Sequence, residues 1–430
     1  MAGLTTGMAI DELPMIDVGS ADHVQDPQSV YRLWRERTPV ARSDRGVEVL
    51  SYELGNRILR DPRLRQPGLY FIEQIGLTDG VFHRIWANIM QHADDERHAR
   101  LRRHVMHHFN ARAVDALRWV VRDSVTGSLQ RMGSDGRCEF VKDIAEPIPS
   151  RLFCHLIGSP AEDAPTIARL SDQLLVVFAM DPAYREQLED AAVELEAYVH
   201  DCIGQRRREP GDDWISSLVR RQAEDRRLTD ADIVYLVAEG LIASTDNTSQ
   251  QLSLLMLLLA QDPAQWQALR SDRTLIRTAV EESMRYMPRL LSVMRIAQEE
   301  LELDGLVVPA GSLVSVLVAA AGRDPAVYTE PDRFDIRRSP TPGTLNFGAG
   351  PHACSGATLA RMEMQEALGL LLDAWSTVTL DGPVTMNNDN DAQAVSDLPL
   401  AVTLDDRPPG AATSHSPAGN QPAHCPVGHA

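Results

Sequence analysis

Residues 346–364 read NFGAGPHACSGATLARMEM. Cys354 follows Gly348 and Gly350 and directly precedes a segment of helical texture, ATLARMEMQEALGLLLDAW (357–375). Glycines let a backbone turn sharply and approach a partner closely. At the start of a helix, the amide N–H groups of Ser355, Gly356 and Ala357 would sit near the sulfur. Such donors stabilise a thiolate and lower its pKa. A thiolate so placed is a nucleophile or a metal ligand.

The chain around this loop has 430 residues, 43% of them apolar, enough for a large core. No Pro/Gly/Ser-rich linker interrupts residues 30–400, so one large domain is expected over 26–405. It is preceded by a flexible segment (1–25) and followed by a low-complexity tail (406–430), which includes RPPGAATSHSPAGNQPAHCPVGHA. The net charge of −19 argues against general binding to nucleic acid or anionic membrane. The five cysteines (138, 154, 202, 354 and 425) are odd in number and widely spaced, which argues for a reducing compartment. The N-terminus lacks a basic region followed by an apolar one, and no uncharged apolar run reaches membrane-spanning length. A cytoplasmic protein is expected.

VEVLSY (47–52) reads as a strand, and residues 53–290 are mostly helical. DAAVELEAYVHDCIGQRRR (190–208) is one amphipathic helix. LTDADIVYLVAEGLI (228–242) opens a long helix with Thr229 or Asp230 as N-cap. Beyond residue 290, LSVMRIA, LELDGLVV and SLVSVLVAAA read as short strands, with turns at LDG and PAG. VTL (378–380) and LAVTL (400–404) form a closing pair. The class is mainly α with minor β.

The stretch Phe347-Gly348-Ala349-Gly350-Pro351-His352-Ala353-Cys354-Ser355-Gly356 resembles the haem-binding loop of cytochrome P450, F-G-x-G-x-H-x-C-x-G, at every fixed position. The resemblance runs from about residue 30 to 405. It implies haem b as cofactor, with Cys354 as the thiolate ligand of its iron. Phe347 would shield the sulfur and His352 would reach a haem propionate. Glu282 and Arg285 match the family's ExxR pair, with Arg333 expected as the arginine that joins them. His98 and Arg102 resemble the helical propionate clamp, and Arg295 the strand arginine that also pairs with a propionate. The chain looks like a soluble bacterial member, which implies a monomer served by a ferredoxin and a ferredoxin reductase. The basic run RHARLRRHVMHHFNAR (97–112) fits a docking patch for that acidic donor, or else a surface helix with no partner.

IASTDNTSQQ (242–251) interrupts two apolar runs with a polar belt. It is either a solvated turn between two helices or the polar centre of one continuous helix, and the continuing apolar register favours the helix. In the family, the belt is the helix over the oxygen side of the haem, patterned A-G-x-(D/E)-T-T. Here it reads Ala243-Ser244-Thr245-Asp246-Asn247-Thr248. The acid Asp246 is kept, while Asn247 stands where a threonine helps deliver protons. Thr248 lies about 100° further round the helix and is no simple substitute. Two readings follow: Asn247 replaces the hydroxyl and oxygen is inserted, or the substrate loses hydrogen atoms and couples. Family position gives Gln66, Tyr70, Phe71, Phe82, Trp86, Ser244, Leu291, Ser292 and Val293 as residues lining a small-molecule pocket. Aromatic walls suit flat apolar substrates. A secondary-metabolite tailoring enzyme is expected, and the altered acid–alcohol pair looks like P450s that dimerise tryptophan-containing cyclodipeptides. Other classes on the same fold are a haem-thiolate sensor without turnover and a haem-thiolate isomerase or dehydratase. His415, His424, Cys425 and His429 in the Pro-rich tail lack the spacing of a metal site.

Overall fold

The computed structural model describes residues 7–405, apart from Asp94 and Asn390. The tail residues His415, His424, Cys425 and His429 lie outside the described residues. Helices carry most of the chain and the strands are short, as expected for the mainly α class with minor β. The chain divides into two compact units. Among the described residues, one holds 7–67, 250–357 and 377–402; the other holds 68–249, 358–376 and 403–405.

The first unit is built on a five-stranded sheet, in the order Val40–Arg42, Val47–Val49, Leu313–Val316, Val293–Ala297, Leu64–Arg65. Val47–Val49 runs parallel to Leu313–Val316, pairing Val47 with Val314 and Val49 with Val316; the remaining neighbours are antiparallel. Both central strands are buried throughout, so they read as continuous apolar runs rather than as alternation. The exceptions are Ser315 and Glu48, both fully buried; Glu48 is held by Ser43 Oγ at 2.6 Å and Arg45 Nε at 2.7 Å.

Two expectations are corrected here. SLVSVLVAAA is a strand only over Leu313–Val316; Val318–Ala321 is a short helix. Alanine favours helix, and a short apolar run does not distinguish the two states by periodicity. The N-terminal segment is packed from residue 7 onward rather than loose. Met8 and Ala9 pair in parallel with Leu306 and Val307, and Leu13, Ile16 and Val18 are buried.

The second unit is helical. Arg118–Arg131, Pro147–Ile157, Ala164–Leu175 and Arg185–Arg208 pack around Phe140, Val121, Leu152, Trp214 and Ile203, all buried. The long helix Asp230–Gln261 runs without a break through the polar belt. Its start is the expected one: Thr229 Oγ1 accepts from the Asp232 N–H at 3.1 Å, and the Asp232 carboxylate accepts from the Thr229 N–H at 3.1 Å. This reciprocal pair satisfies two backbone donors at the helix entrance.

Candidate active site

The loop before Cys354 is shaped by its own backbone. Gly348 donates to the Leu345 carbonyl at 2.8 Å, and Cys354 donates to the Phe347 carbonyl at 2.8 Å. Gly350–His352 forms a single 3-10 turn. Gly348 and Gly350 have φ of 65° and 73°, where L side chains are strained. A Cβ at Gly350 would also lie 3.1 Å from the Leu59 carbonyl oxygen. Leu345 and Ala349 are buried in the apolar core, and Asn346 Nδ2 donates to the Met284 carbonyl at 2.5 Å. The loop is therefore fixed from both sides, while Cys354 is exposed and in no disulfide. Gly356 borders it, and the following helix begins at Ala357.

Met284 belongs to the helix Ile276–Tyr286, which also carries Glu282 and Arg285. The two are buried, with Arg285 Nε and Nη2 donating to Glu282 at 2.7 and 2.8 Å. Arg285 also donates to the carbonyls of Gly322, Pro331 and Arg333 at 2.9, 2.8 and 3.0 Å. The expectation for Arg333 is corrected: the third arginine is Arg338, whose Nε lies 3.2 Å from Glu282 Oε1. The Arg333 side chain is 61% exposed and reaches Glu330 at 3.3 Å, so it serves this cluster through its carbonyl alone.

Arg295, on strand Val293–Ala297, is 1% exposed. Its Nη1 donates to the Met294 carbonyl at 2.8 Å, and no carboxylate of the described residues pairs with it. Burial alone pushes its pKa down to about 10. The preceding residues are held firmly. Leu291 is fully buried and donates to the Asp391 carbonyl at 2.7 Å; Ser292 Oγ donates to Asp391 Oδ1 at 2.6 Å. Val293 pairs with Val316 and remains partly exposed.

In the second unit, Ala243 is exposed in the middle of a helix whose neighbours Leu241 and Ile242 are buried. Ser244 beside it has a buried Oγ with no partner among the described residues. Thr245 Oγ1 bonds the Leu241 carbonyl at 3.1 Å and meets Ser171 Oγ. Asn247 Nδ2 donates to the Ala243 carbonyl at 3.2 Å, and Thr248 is buried. Asp246 is half-buried. Two acids that sequence reasoning missed share its field. Burial raises the pKa of Asp172, and the Asp246 charge raises it further. Burial likewise raises the pKa of Glu146, with Asp172, Glu139 and Asp246 adding to it.

Four of the expected pocket aromatics gather. Phe71 lies 5.6 Å from Tyr70 and 6.3 Å from Trp86, and Phe82 stacks on Trp86 at 5.7 Å. Phe82 and Trp86 are buried, leaving Tyr70 and Phe71 with open surface. Sequence reasoning missed Phe178, 5.2 Å from Phe71 and 5.8 Å from Trp86, and His92, 5.2 Å from Trp86. Gln66 lies in the other unit and is half-buried. On the helix Asp95–Met106, His98 is buried and Arg102 half-buried. Much of the basic run is turned inward. Arg97 binds Asp232 at 3.0 Å, while Arg100 and His104 reach Asp225 at 3.6 and 3.3 Å. Arg103, His107 and Arg112 are the basic residues it leaves exposed.

These residues fit a haem held by cysteine. A buried guanidinium without a carboxylate awaits an anion, and Arg295 is one. Among the described residues, no group of three or more His, Cys, Asp or Glu side chains is placed to hold a metal ion.

The family model for cytochrome P450 matches residues 165–400. The luteothin monooxygenase of Streptomyces thioluteus is 31% identical over 90% of this chain and 96% of its own length. The crystal structure of CalO2 superposes with a TM-score of 0.85 at 28% identity, covering 91% of this chain and 99% of that one. CxnD, a cytochrome P450 for C–S bond formation in chuangxinmycin biosynthesis, gives 0.81 at 26%, covering 91% and 97%. Together with the Cys354 loop and the buried Glu282–Arg285 pair, these likenesses show that the chain belongs to the cytochrome P450 family, as an oxidoreductase whose cofactor is haem b.

Proposed function

We propose that this P450 oxidises an apolar, aromatic small molecule of secondary metabolism, and that it joins substrate rings rather than inserting oxygen. A tryptophan-containing cyclodipeptide is the proposed substrate. The carrying observation is Asn247, whose carboxamide donates back to the Ala243 carbonyl. A carboxamide does not give up a proton as a hydroxyl in a relay does, so delivery at this position is weakened. Both outcomes draw the same protons and electrons from outside, because in coupling the substrates' own hydrogens make the second water. Asn247 therefore supports coupling as a departure from the family's oxygen-inserting acid–alcohol pair. The structural neighbour CxnD, which is named for C–S bond formation, supports a bond-forming outcome.

Haem b, when bound, supplies oxidising power drawn from dioxygen and donated electrons. Cys354 would hold it and lend electron density, while Phe347 shields the sulfur. Arg295, His352, His98 and Arg102 would pair with its carboxylates. Asp172 and Glu146 lie in the field of Asp246, and burial first, with that charge after it, makes both keep protons to higher pH than ordinary carboxyls. Tyr70 and Phe71 offer apolar surface to the substrate. Electrons come from a ferredoxin and its reductase, which would meet a groove lined by Arg112, Arg118 and Arg361. No helix of the described residues is long and apolar enough to cross a membrane, and we place the enzyme in the cytoplasm as a monomer.

Incubation with a tryptophan-containing cyclodipeptide, a ferredoxin system and NADPH tests this reading. Dimeric product supports it; hydroxylated monomer without dimer overturns coupling.

A further inference from the structure

The segment Ile75-Gly76-Leu77-Thr78-Asp79-Gly80 joins the helix that carries Tyr70 and Phe71 (Tyr70–Gln74) to the helix that carries Phe82 and Trp86 (Gly80–Asn88). Gly76, at φ 64°, stops the first helix: its N–H donates to the Glu73 carbonyl and the Leu77 N–H to the Ile72 carbonyl, both at 2.9 Å. Such a stop leaves the Ile75 carbonyl without a helical partner. The second helix starts without a bond from the side chain of its own N-cap, Asp79. One neighbouring helix, Arg185–Arg208, serves both ends. Arg185 Nε donates to the Ile75 carbonyl. One turn further on, the Glu189 carboxylate accepts from the Val81 and Phe82 N–H groups at 2.7 and 3.0 Å.

The fit extends to the backbone. A Cβ at Gly76 would lie 2.6 Å from Arg185 Nη2, and one at Gly80 2.6 Å from Glu189 Oε2. Two glycines four positions apart thus face two charges four positions apart. Each charge has the sign its helix end favours, positive at the C-terminal end and negative at the N-terminal start. Leu188, between the two, is fully buried, and Glu196, two turns beyond Glu189, takes Arg84 of the Trp86 helix at 2.8 and 2.9 Å.

We propose that Arg185 and Glu189 are positioning residues that clamp the facing ends of these two helices, and so set how Tyr70 and Phe71 stand against Trp86 where the substrate meets them. The proposal rests on the reading of Tyr70 and Phe71 as substrate surface. An arginine and a glutamate four apart on a helix also suit an ion pair with each other. The two roles respond differently to an exchange of the residues. An ion pair survives with its charges swapped. A clamp on a carbonyl and two amides does not, because a carboxylate cannot donate to the carbonyl and a guanidinium cannot accept from the amides.

The test is hydrogen–deuterium exchange of residues 70–90 in the holoenzyme, beside a spin-state titration with a tryptophan-containing cyclodipeptide. In the wild type, the Val81 and Phe82 amides should exchange about tenfold more slowly than unpaired first-turn amides. Exchange at the unpaired rate overturns the proposal, and needs no variant to fold. Combining Arg185→Glu with Glu189→Arg should remove that protection and raise Kd about fivefold or more, because an unfixed surface must be ordered on binding. Haem content and the reduced carbon monoxide spectrum should not change. Glu189→Gln, which keeps one acceptor oxygen, should fall between. An exchanged pair that protects Val81 and Phe82 and binds as the wild type does overturns the clamp in favour of a plain ion pair. Lost protection with an unchanged Kd keeps the clamp and overturns Tyr70 and Phe71 as the substrate surface. A wild type that gives no spin-state shift overturns the cyclodipeptide as substrate, and the exchange arm still decides the clamp.

Discussion

Asn247 donates from Nδ2 to the Ala243 carbonyl at 3.2 Å, one turn back along the long helix. Ala243 is the exposed residue of that stretch, so the carboxamide lies beside the exposed part of the helix. Its acceptor oxygen can hold a water, but its nitrogen yields no proton near neutral pH.

Asn247→Thr restores an exchangeable hydroxyl at this position. The ratio of oxygenated to coupled product should rise by roughly tenfold or more, with haem content unchanged. Product analysis by mass spectrometry, alongside NADPH consumed per product, measures it. An unchanged ratio would make the carboxamide silent in product choice.

The buried Glu282–Arg285 pair makes a graded series. Glu282→Gln leaves Arg285 charged and unpaired in the core, a loss of about 3–5 kcal/mol. Arg338→Ala removes the bond to Glu282 and those to the Thr329, Glu330 and Arg333 carbonyls, about 1–3 kcal/mol. Arg333→Ala removes only an exposed side chain and should stay within about 0.5 kcal/mol. Denaturant unfolding of the three variants gives the order, and an Arg333→Ala loss equal to that of Arg338→Ala would refute it.

Arg295 carries a buried charge that no described carboxylate neutralises. Arg295→Met should therefore raise the melting temperature of haem-free protein while speeding haem loss from the holoenzyme. Haem transfer to an apoglobin reports the second effect. A variant that is destabilised without haem and retains haem normally would show that Arg295 serves the fold alone.

Glu363 is buried, its Oε2 has no partner among the described residues, and burial pushes it up to about 8. The unfolded carboxyl releases its proton near the ordinary value, and the folded one does so only near pH 8. In that window the folded state binds more protons, so its stability falls as pH rises. The contribution is fully present below about pH 4.5 and is lost through pH 8, on the order of a few kcal/mol. Glu363→Gln should flatten the slope of unfolding free energy between pH 5 and 8. A slope equal to that of the wild type would place the titration elsewhere.

The Cys354 loop was legible because its demands are local. Two left-handed glycines, one thiol and a helix start occupy adjacent positions, so spacing records the geometry. Thr229 was legible for the same reason. Arg338 was not, since two arginines of one loop differ only in which one the folded chain turns toward Glu282. His92, Phe178, Glu189, Asp172 and Glu146 come from separate helices and meet only after packing, with no spacing to mark them. The basic run misled in part because charge in a sequence does not say which way a side chain faces, and Arg97, Arg100 and His104 face acids. The packed start of the chain was hidden by its short apolar pairs, which gain their partners from strands and helices far along the sequence.

Ligation by Cys354 underlies all of this, and the absorption spectrum of the reduced, carbon monoxide-bound protein tests it most directly. The expected result is the red-shifted Soret band of thiolate ligation in the wild type and its loss in Cys354→Ser. A wild-type band without that shift, or a shifted band that survives in Cys354→Ser, would contradict it.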